Sequence, residues 1–234
     1  MVKKPYLFAK EKLFHICRSI TGKGIKKSLG LIKKELPLLK IFSIKSKTKV
    51  FDWVVPPEWN IDEAYVLDKN NKKIIDFKKN NLHVVNYSIP VKKILTKNQL
   101  INKIYSLKDQ KKAIPYVTSY YEERWGFCIS ENKRIELKPG NYHVRVDSTL
   151  EPGYLTYGEI IFPGEREEEI LISTYICHPS MANNELSGPV VATAIAKWIK
   201  KQTKTRYSYR IIFVPETIGS LVYLSRHYES LKKN

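Results

Sequence analysis

The sequence predicts an α/β fold interrupted by a β-rich insert, on three observations. Between residues 169 and 214 an apolar run, a helical stretch and a second apolar run follow one another, the order that builds strand, crossover helix and strand. Residues 7–44 read as helix and then strand. From 50 to 150 the pattern changes to short alternating segments separated by turn residues. The boundaries that follow are 1–49 with 151–234 for the α/β domain and 50–150 for the insert. Residues 157–234 with 38–49 are expected to form one parallel-rich layer system.

Residues 7–36 carry apolar positions at Leu13, Phe14, Ile16, Cys17 and Ile20, break at Thr21-Gly22-Lys23-Gly24, and resume with Ile25, Leu29, Ile32 and Leu36 before Pro37. Residues 39–44 supply the first α/β strand. In the insert, 64–67 and 73–77 flank an Asn70-Asn71 turn, and 127–130 and 135–137 flank Glu131-Asn132. Strands over 82–87, 115–120 and 142–147 and a short helix within 99–107 complete it. Residues 154–162 lead back into the α/β part. The run 169–177 is β-branched and nearly continuous, as a buried parallel strand requires. Ser187-Gly188-Pro189 then opens a helix with Val190, Val191, Ala194, Ile195 and Trp198 at helical spacing. A second strand spans 206–214, and the helix after it carries Leu221, Leu224, Tyr228 and Leu231 as its apolar positions.

A right-handed crossover makes those two strands parallel neighbours or near neighbours, with their carboxyl ends on one edge of the sheet. Open α/β sheets bind ligands in the crevice outside that edge. His178 ends the first strand, Asn183, Asn184 and Glu185 lie in the loop beyond it, and Glu216 ends the second. An imidazole and up to two carboxylates therefore converge, the donor set of a hydrolytic metal site. The plainer readings are a structural histidine, a helix-capping Glu216 and turn-forming Asn184 and Glu185. Cys177 is expected to point away from His178, because neighbours on a strand face opposite sides, which excludes a Cys–His dyad. Ser180, Ser187 and Ser220 lack the Gly-x-Ser-x-Gly elbow of a serine hydrolase. His83 and His143 read as structural residues of the insert, and His83 becomes a substrate contact if the insert folds over the crevice.

The 234 residues carry a formal net charge of +18, and its distribution is uneven. Residues 1–112 hold 26 Lys and Arg against 9 Asp and Glu, leaving 15 against 14 for the rest. The lysines are scattered and arginine is scarce, which reads as a solvated surface rather than a nucleic-acid face. Three isolated cysteines fit a reducing compartment, and no run approaches the roughly 20 apolar residues of a membrane helix, so the cytoplasm is expected.

The segment Ser173-Thr-Tyr-Ile-Cys-His178-Pro-Ser-Met-Ala-Asn-Asn184-Glu-Leu-Ser187-Gly, followed by Phe213-Val-Pro-Glu216-Thr-Ile-Gly-Ser220, resembles a group of bacterial aminopeptidase-like proteins. These are relatives of the zinc aminopeptidases that often occur among surface-polysaccharide genes. Val50–Trp59, Asn81–Ser88 and Tyr120–Cys128 resemble the same group, so the likeness covers most of the chain. It implies a zinc-aminopeptidase-like three-layer sandwich, incomplete here, with an inserted β-rich domain. In the wider family the strand-end histidine binds metal, which carries over to His178. The bridging Asp of its two-metal site is matched by Asn184, and its two consecutive Glu residues by Glu216 and Thr217. The resemblance therefore implies a single zinc ion held by His178 with Glu185 or Asn184, and Glu216 as general base in hydrolysis of a small peptide or amidated small molecule. The family continues with further strands, later metal ligands and commonly a winged-helix tail, so this chain reads as truncated, with a partner chain completing its sheet. The alternative is a catalytically inactive peptidase-like binding scaffold.

Overall fold

The computed structural model describes residues 3–233, which divide into two compact units. One is built from the chain up to Glu58 and from Pro152 onward, the other from Trp59–Glu151. In the first unit, helix α1 (Lys3–Leu7) runs on as a wider π-type coil over Phe8–Leu13, and an irregular stretch leads to α2 (Lys23–Glu35). Ile25, Leu29 and Ile32 turn inward from α2, and its lysines line the outside. Strand β1 (Lys40–Lys45) follows, then a small ladder of β2 (Lys49–Val50) and β3 (Trp53–Val54).

The second unit holds β4 (Glu58–Leu67), whose first residue belongs to the first unit, β5 (Lys73–Asp76), β6 (Val91–Thr96), α3 (Lys97–Ile101), β7 (Ile104–Tyr105), β8 (Phe127–Cys128), α4 (Glu131–Ile135) and β9 (Asn141–Glu151). Its main sheet has the order β5-β4-β9-β6. The Asn70-Asn71 turn forms, with Asn71 in the left-handed region at φ 60°. Glu131-Asn132 does not make the expected turn: Ser130 caps a helix there by accepting from the Lys133 amide. Residues 82–87 and 115–120 supply only isolated bridges, and Tyr87 at φ 72° interrupts the extended backbone. The helix expected within 99–107 is shorter and earlier, set by a capping box of Thr96 and Gln99.

The chain returns to the first unit with β10 (Tyr154–Phe162), β11 (Glu169–Tyr175), α5 (Ser187–Ile199), β12 (Ser208–Val214) and α6 (Ile218–Lys233). The sheet order is β1-β10-β12-β11. Of its neighbouring pairs only β11 with β12 is parallel; β10 runs antiparallel to both β1 and β12, so the expected parallel-rich sheet is a mixed one. The crossover rule fixes only the pair it connects.

Helices lie on both faces. Ile25, Leu29 and Ile32 of α2 and Ala192, Ala196 and Ile199 of α5 cover one, meeting Ile160, Ile211 and Phe213. On the other, Tyr223 of α6 packs edge-on to Tyr157 at 5.5 Å between ring centres, beside a buried polar cluster. Arg210 forks onto Glu169 at 2.6 and 2.8 Å and reaches Glu159 at 2.7 Å, and the Tyr223 hydroxyl donates to Glu159 as well.

Two helix faces differ from the spacing argument. α5 buries Pro189, Ala192, Thr193, Ala196 and Ile199 and leaves Val191 and Trp198 55% and 59% exposed. It is apolar on nearly all sides, so periodicity could not choose, and the small residues gave the closest approach to the sheet. α6 buries Ile218, Gly219, Val222 and Tyr223, with Leu224 and Tyr228 exposed. The Tyr223 hydroxyl finds its partners on the sheet, which sets the rotation of that helix. β11 is an edge strand, and Ile170, Leu171 and Tyr175 on it are exposed. Among the described residues, no helix is long and apolar enough to cross a membrane.

The two crossings between units are tied within the first one. Glu58 accepts from the Tyr154 amide at 2.9 Å and from Lys26 at 2.8 and 2.9 Å.

Candidate functional site

The ladder of β11 on β12 runs to Tyr175, and the Ile176 amide still donates to the Val214 carbonyl at 2.9 Å. Beyond it the pleat ends, and with it the alternation that was expected to part Cys177 from His178. Cys177 Sγ lies 3.2 Å from His178 Nδ1. That corrects the sequence argument, because the opposite-faces rule holds only inside a strand.

His178 is 6% exposed and stands between two carboxylates. Its Nδ1 is 3.0 Å from Oε2 of Glu185, and its Nε2 is 3.2 Å from Oε1 of Glu216. Both flanking residues come from the strand-end loops, as the topology requires. The Glu216 amide is held by Cys177 Sγ at 3.3 Å, and its side chain is 34% exposed. Glu185 is reached by a kink at Asn184 (φ −84°, ψ 77°), after which Glu185 itself takes φ 149° and ψ −77°. L residues rarely occupy that region, at a cost on the order of 1–3 kcal/mol. Its side chain is fully buried, and Oε1 lies 3.5 Å from Nε of Arg18, also fully buried.

Arg18 is fixed from its own side. Its Nη1 donates to the Leu13 carbonyl at 2.6 Å. A Cβ at Gly24 would overlap the Cys17 carbonyl oxygen, so glycine is what lets the start of α2 lie against Cys17 and Arg18. Asn184 is exposed, and its Oδ1 accepts from the Tyr175 hydroxyl at 2.6 Å. The Tyr175 ring in turn lies 5.3 Å from the His178 ring.

The electrostatics separate these groups. Burial pushes the Cys177 thiol up to about 11, so it carries its proton at neutral pH. Burial alone would lower the His178 pKa, but hydrogen bonds with Cys177, Glu185 and Glu216 outweigh it and push it up to about 12. Burial lowers the Arg18 pKa, and Glu185 opposes that shift.

Ligand atoms of Cys177, His178 and Glu185 lie within 4.8 Å of one another, so the site has the donors and the compactness for a metal ion. Nδ1 of His178 is engaged by Glu185, and Nε2 lies beside the Glu216 carboxylate, the more exposed of the two. Their separation suits two groups serving one centre. His83 lies in the other unit, 6% exposed, with Nδ1–H donating to the Cys128 carbonyl at 2.7 Å. Arg18 was not anticipated from the sequence. Its one signal is that it is the sole arginine in the first 123 residues, where lysine covers the surface.

A mixed α/β sheet with helices on both faces and a histidine and two carboxylates at its strand ends defines an aminopeptidase-like fold. Solved structures agree. A zinc aminopeptidase from Bacillus subtilis matches with a TM-score of 0.62 over 98% of this chain and 65% of its own length, at 12% identity. A peptidase M28 precursor from Shewanella amazonensis matches equally, with a TM-score of 0.62 over 98% of this chain and 67% of its own, at 12% identity. A candidate peptidase from Clostridium acetobutylicum gives a TM-score of 0.95 at 53% identity, over 98% of this chain and 54% of that one. A Clostridium acetobutylicum sequence, a candidate polysaccharide biosynthesis protein with aminopeptidase-like domain, is 54% identical over 222 residues, 95% of this chain and 51% of its own. Residues 7–234 match the family described as a domain of unknown function, DUF4910, and the chain belongs to that family. It spans about half the length of the Clostridium relatives.

Proposed function

We propose that this chain forms part of a zinc-dependent, aminopeptidase-like hydrolase of peptide or amide bonds, serving surface polysaccharide biosynthesis in the cytoplasm. The observation that carries the reading is the bracketing of His178, with a buried carboxylate on Nδ1 and a partly exposed one on Nε2. Through Nε2, His178 would hold the ion, which when bound would polarise a scissile carbonyl and lower the pKa of a water toward ~7. Glu216, beside Nε2 and open to the crevice, accepts a proton from water and returns it to the leaving amine. Asn184 is held by the Tyr175 hydroxyl, whose ring lies 5.3 Å from that of His178.

Catalytic zinc usually has three protein ligands. The remaining donors are supplied by a partner segment equivalent to the part of the longer relatives that this chain does not span. Two observations support that occupant. β11 has a free edge, and the outer side of α5 exposes Val191 and Trp198 beside it. A strand added parallel to β11 would bring its own carboxyl end to the same edge.

The test is metal analysis of the purified chain, with and without that segment, alongside His178→Ala. Stoichiometric zinc in the wild type and none in the variant is the expected result. A second reading, a binding scaffold without turnover, follows from the donor count. It gains ground if zinc is absent from both preparations.

A further inference from the structure

We propose that Arg18 is a positioning residue, anchoring Glu185 so that the carboxylate grips the Nδ1 edge of His178 and only the Nε2 edge faces the crevice. This rests on the reading of His178 as a metal ligand, and it gives Glu185 a different part from the ligand role expected from the sequence.

The Glu185 carboxylate divides its oxygens between two partners: Oε1 lies 3.5 Å from Arg18 Nε, and Oε2 lies 3.0 Å from His178 Nδ1. Both Arg18 and Glu185 side chains are withdrawn from solvent, so neither charge is screened and each depends on the other. Metal-binding histidines commonly hand their second ring N–H to a carboxylate, which fixes the tautomer and the ring plane. Glu185 stands where that carboxylate must stand.

The backbone argues for an anchor as well. Glu185 takes φ 149°, which no ordinary loop geometry supplies, so its side chain must be held from outside the loop. Arg18 comes from a stretch 167 positions upstream of it, and its place is set by the Leu13 carbonyl and by the close approach of Gly24. The irregular segment between α1 and α2 thus reaches the Glu185 carboxylate through the Arg18 guanidinium, while the Phe14 carbonyl accepts from the Ser180 hydroxyl and Leu13 and Ile16 pack on Leu186.

The test uses the full chain together with the partner segment, and zinc as the probe. Zinc affinity is measured by competition with a chromophoric chelator, and the His178 ring N–H signals are followed by 15N NMR in metal-free protein. In the wild type the Nδ1–H should exchange slowly with solvent. Arg18→Met should speed that exchange and weaken zinc binding about 10–100-fold, the usual effect of losing an outer partner of a metal-bound histidine. Arg18→Met strands a buried carboxylate and is liable to unfold. The double variant Arg18→Met with Glu185→Gln avoids this, keeping an acceptor for Nδ1–H while removing both the charge and the anchor. It should show the same two losses with an unchanged circular dichroism spectrum.

Wild-type affinity and slow Nδ1–H exchange in the folded double variant would overturn the positioning role, and loss of zinc in His178→Ala would leave the metal reading standing. If the wild type binds no zinc, the metal reading falls and Nδ1–H exchange alone decides the positioning role.

Discussion

Nε2 of His178 lies 3.2 Å from Oε1 of Glu216 while Nδ1 lies 3.0 Å from Oε2 of Glu185, so one imidazole ring stands between two carboxylates. With its pKa pushed up to about 12, that ring must lose a proton before a metal can take Nε2. Zinc uptake should therefore release about one proton, and affinity should rise roughly tenfold per pH unit between about pH 6 and 8. Calorimetry in buffers of different ionisation heat measures the release. A value near zero would show that the ring is already neutral.

The same shift affects stability. The imidazolium is favoured in the folded state, so its contribution is complete below the ordinary histidine pKa of about 6.5 and is lost as pH rises toward about 12. Metal-free wild type should lose Tm relative to His178→Gln as pH is raised from 7 to 10. Parallel Tm profiles for the two proteins would contradict this.

Glu216→Gln removes a base and keeps the shape of the side chain. With the partner segment present, it should spare zinc binding and lower hydrolysis of amide substrates by about 10²–10⁴-fold. Loss of zinc in this variant would instead make Glu216 a ligand.

Arg210 neutralises Glu159 and Glu169, both nearly buried. Arg210→Met leaves two uncompensated carboxylates and should cost about 3–5 kcal/mol, read from urea unfolding. A change under about 1 kcal/mol would mean that Tyr223 and water suffice for Glu159.

The outer side of α5 predicts behaviour in solution. Val191→Lys with Trp198→Lys should reduce self-association in light scattering without lowering Tm by more than a few degrees, since neither residue contributes to the core. Co-expression with the unmatched part of the Clostridium relative should have the same effect on the wild type. The double variant should block it.

Much of this was legible in the sequence where local pattern decides. The run 169–177 is β-branched enough to read as a strand, and the crossover then placed His178 and Glu216 on one edge; the burial expected of it did not follow, because it is the sheet's outer strand with Ile170, Leu171 and Tyr175 exposed, and an apolar run does not tell an inner strand from an edge one. The inward sides of α5 and α6 were not legible, because apolar residues lie on several sides and the choice rests on small residues in one helix and a tyrosine hydroxyl in the other. Cys177 was misplaced because a strand's end cannot be read to the residue. Arg18 stands out in the sequence only as a lone arginine among lysines, and its role could not be read there. Its partner lies in a loop far along the chain, and long-range pairing leaves no local trace.

The tie between Glu58 and Tyr154 also bears on how such a protein could have been assembled. The chain leaves the first unit and re-enters it at points fastened to each other, with Lys26 holding the junction. A handful of linker residues in place of 59–151 would close that gap at little entropic cost. Both ends of the crossing are therefore held by residues of the first unit itself, and a chain with such a linker should keep the Glu58–Tyr154 bond.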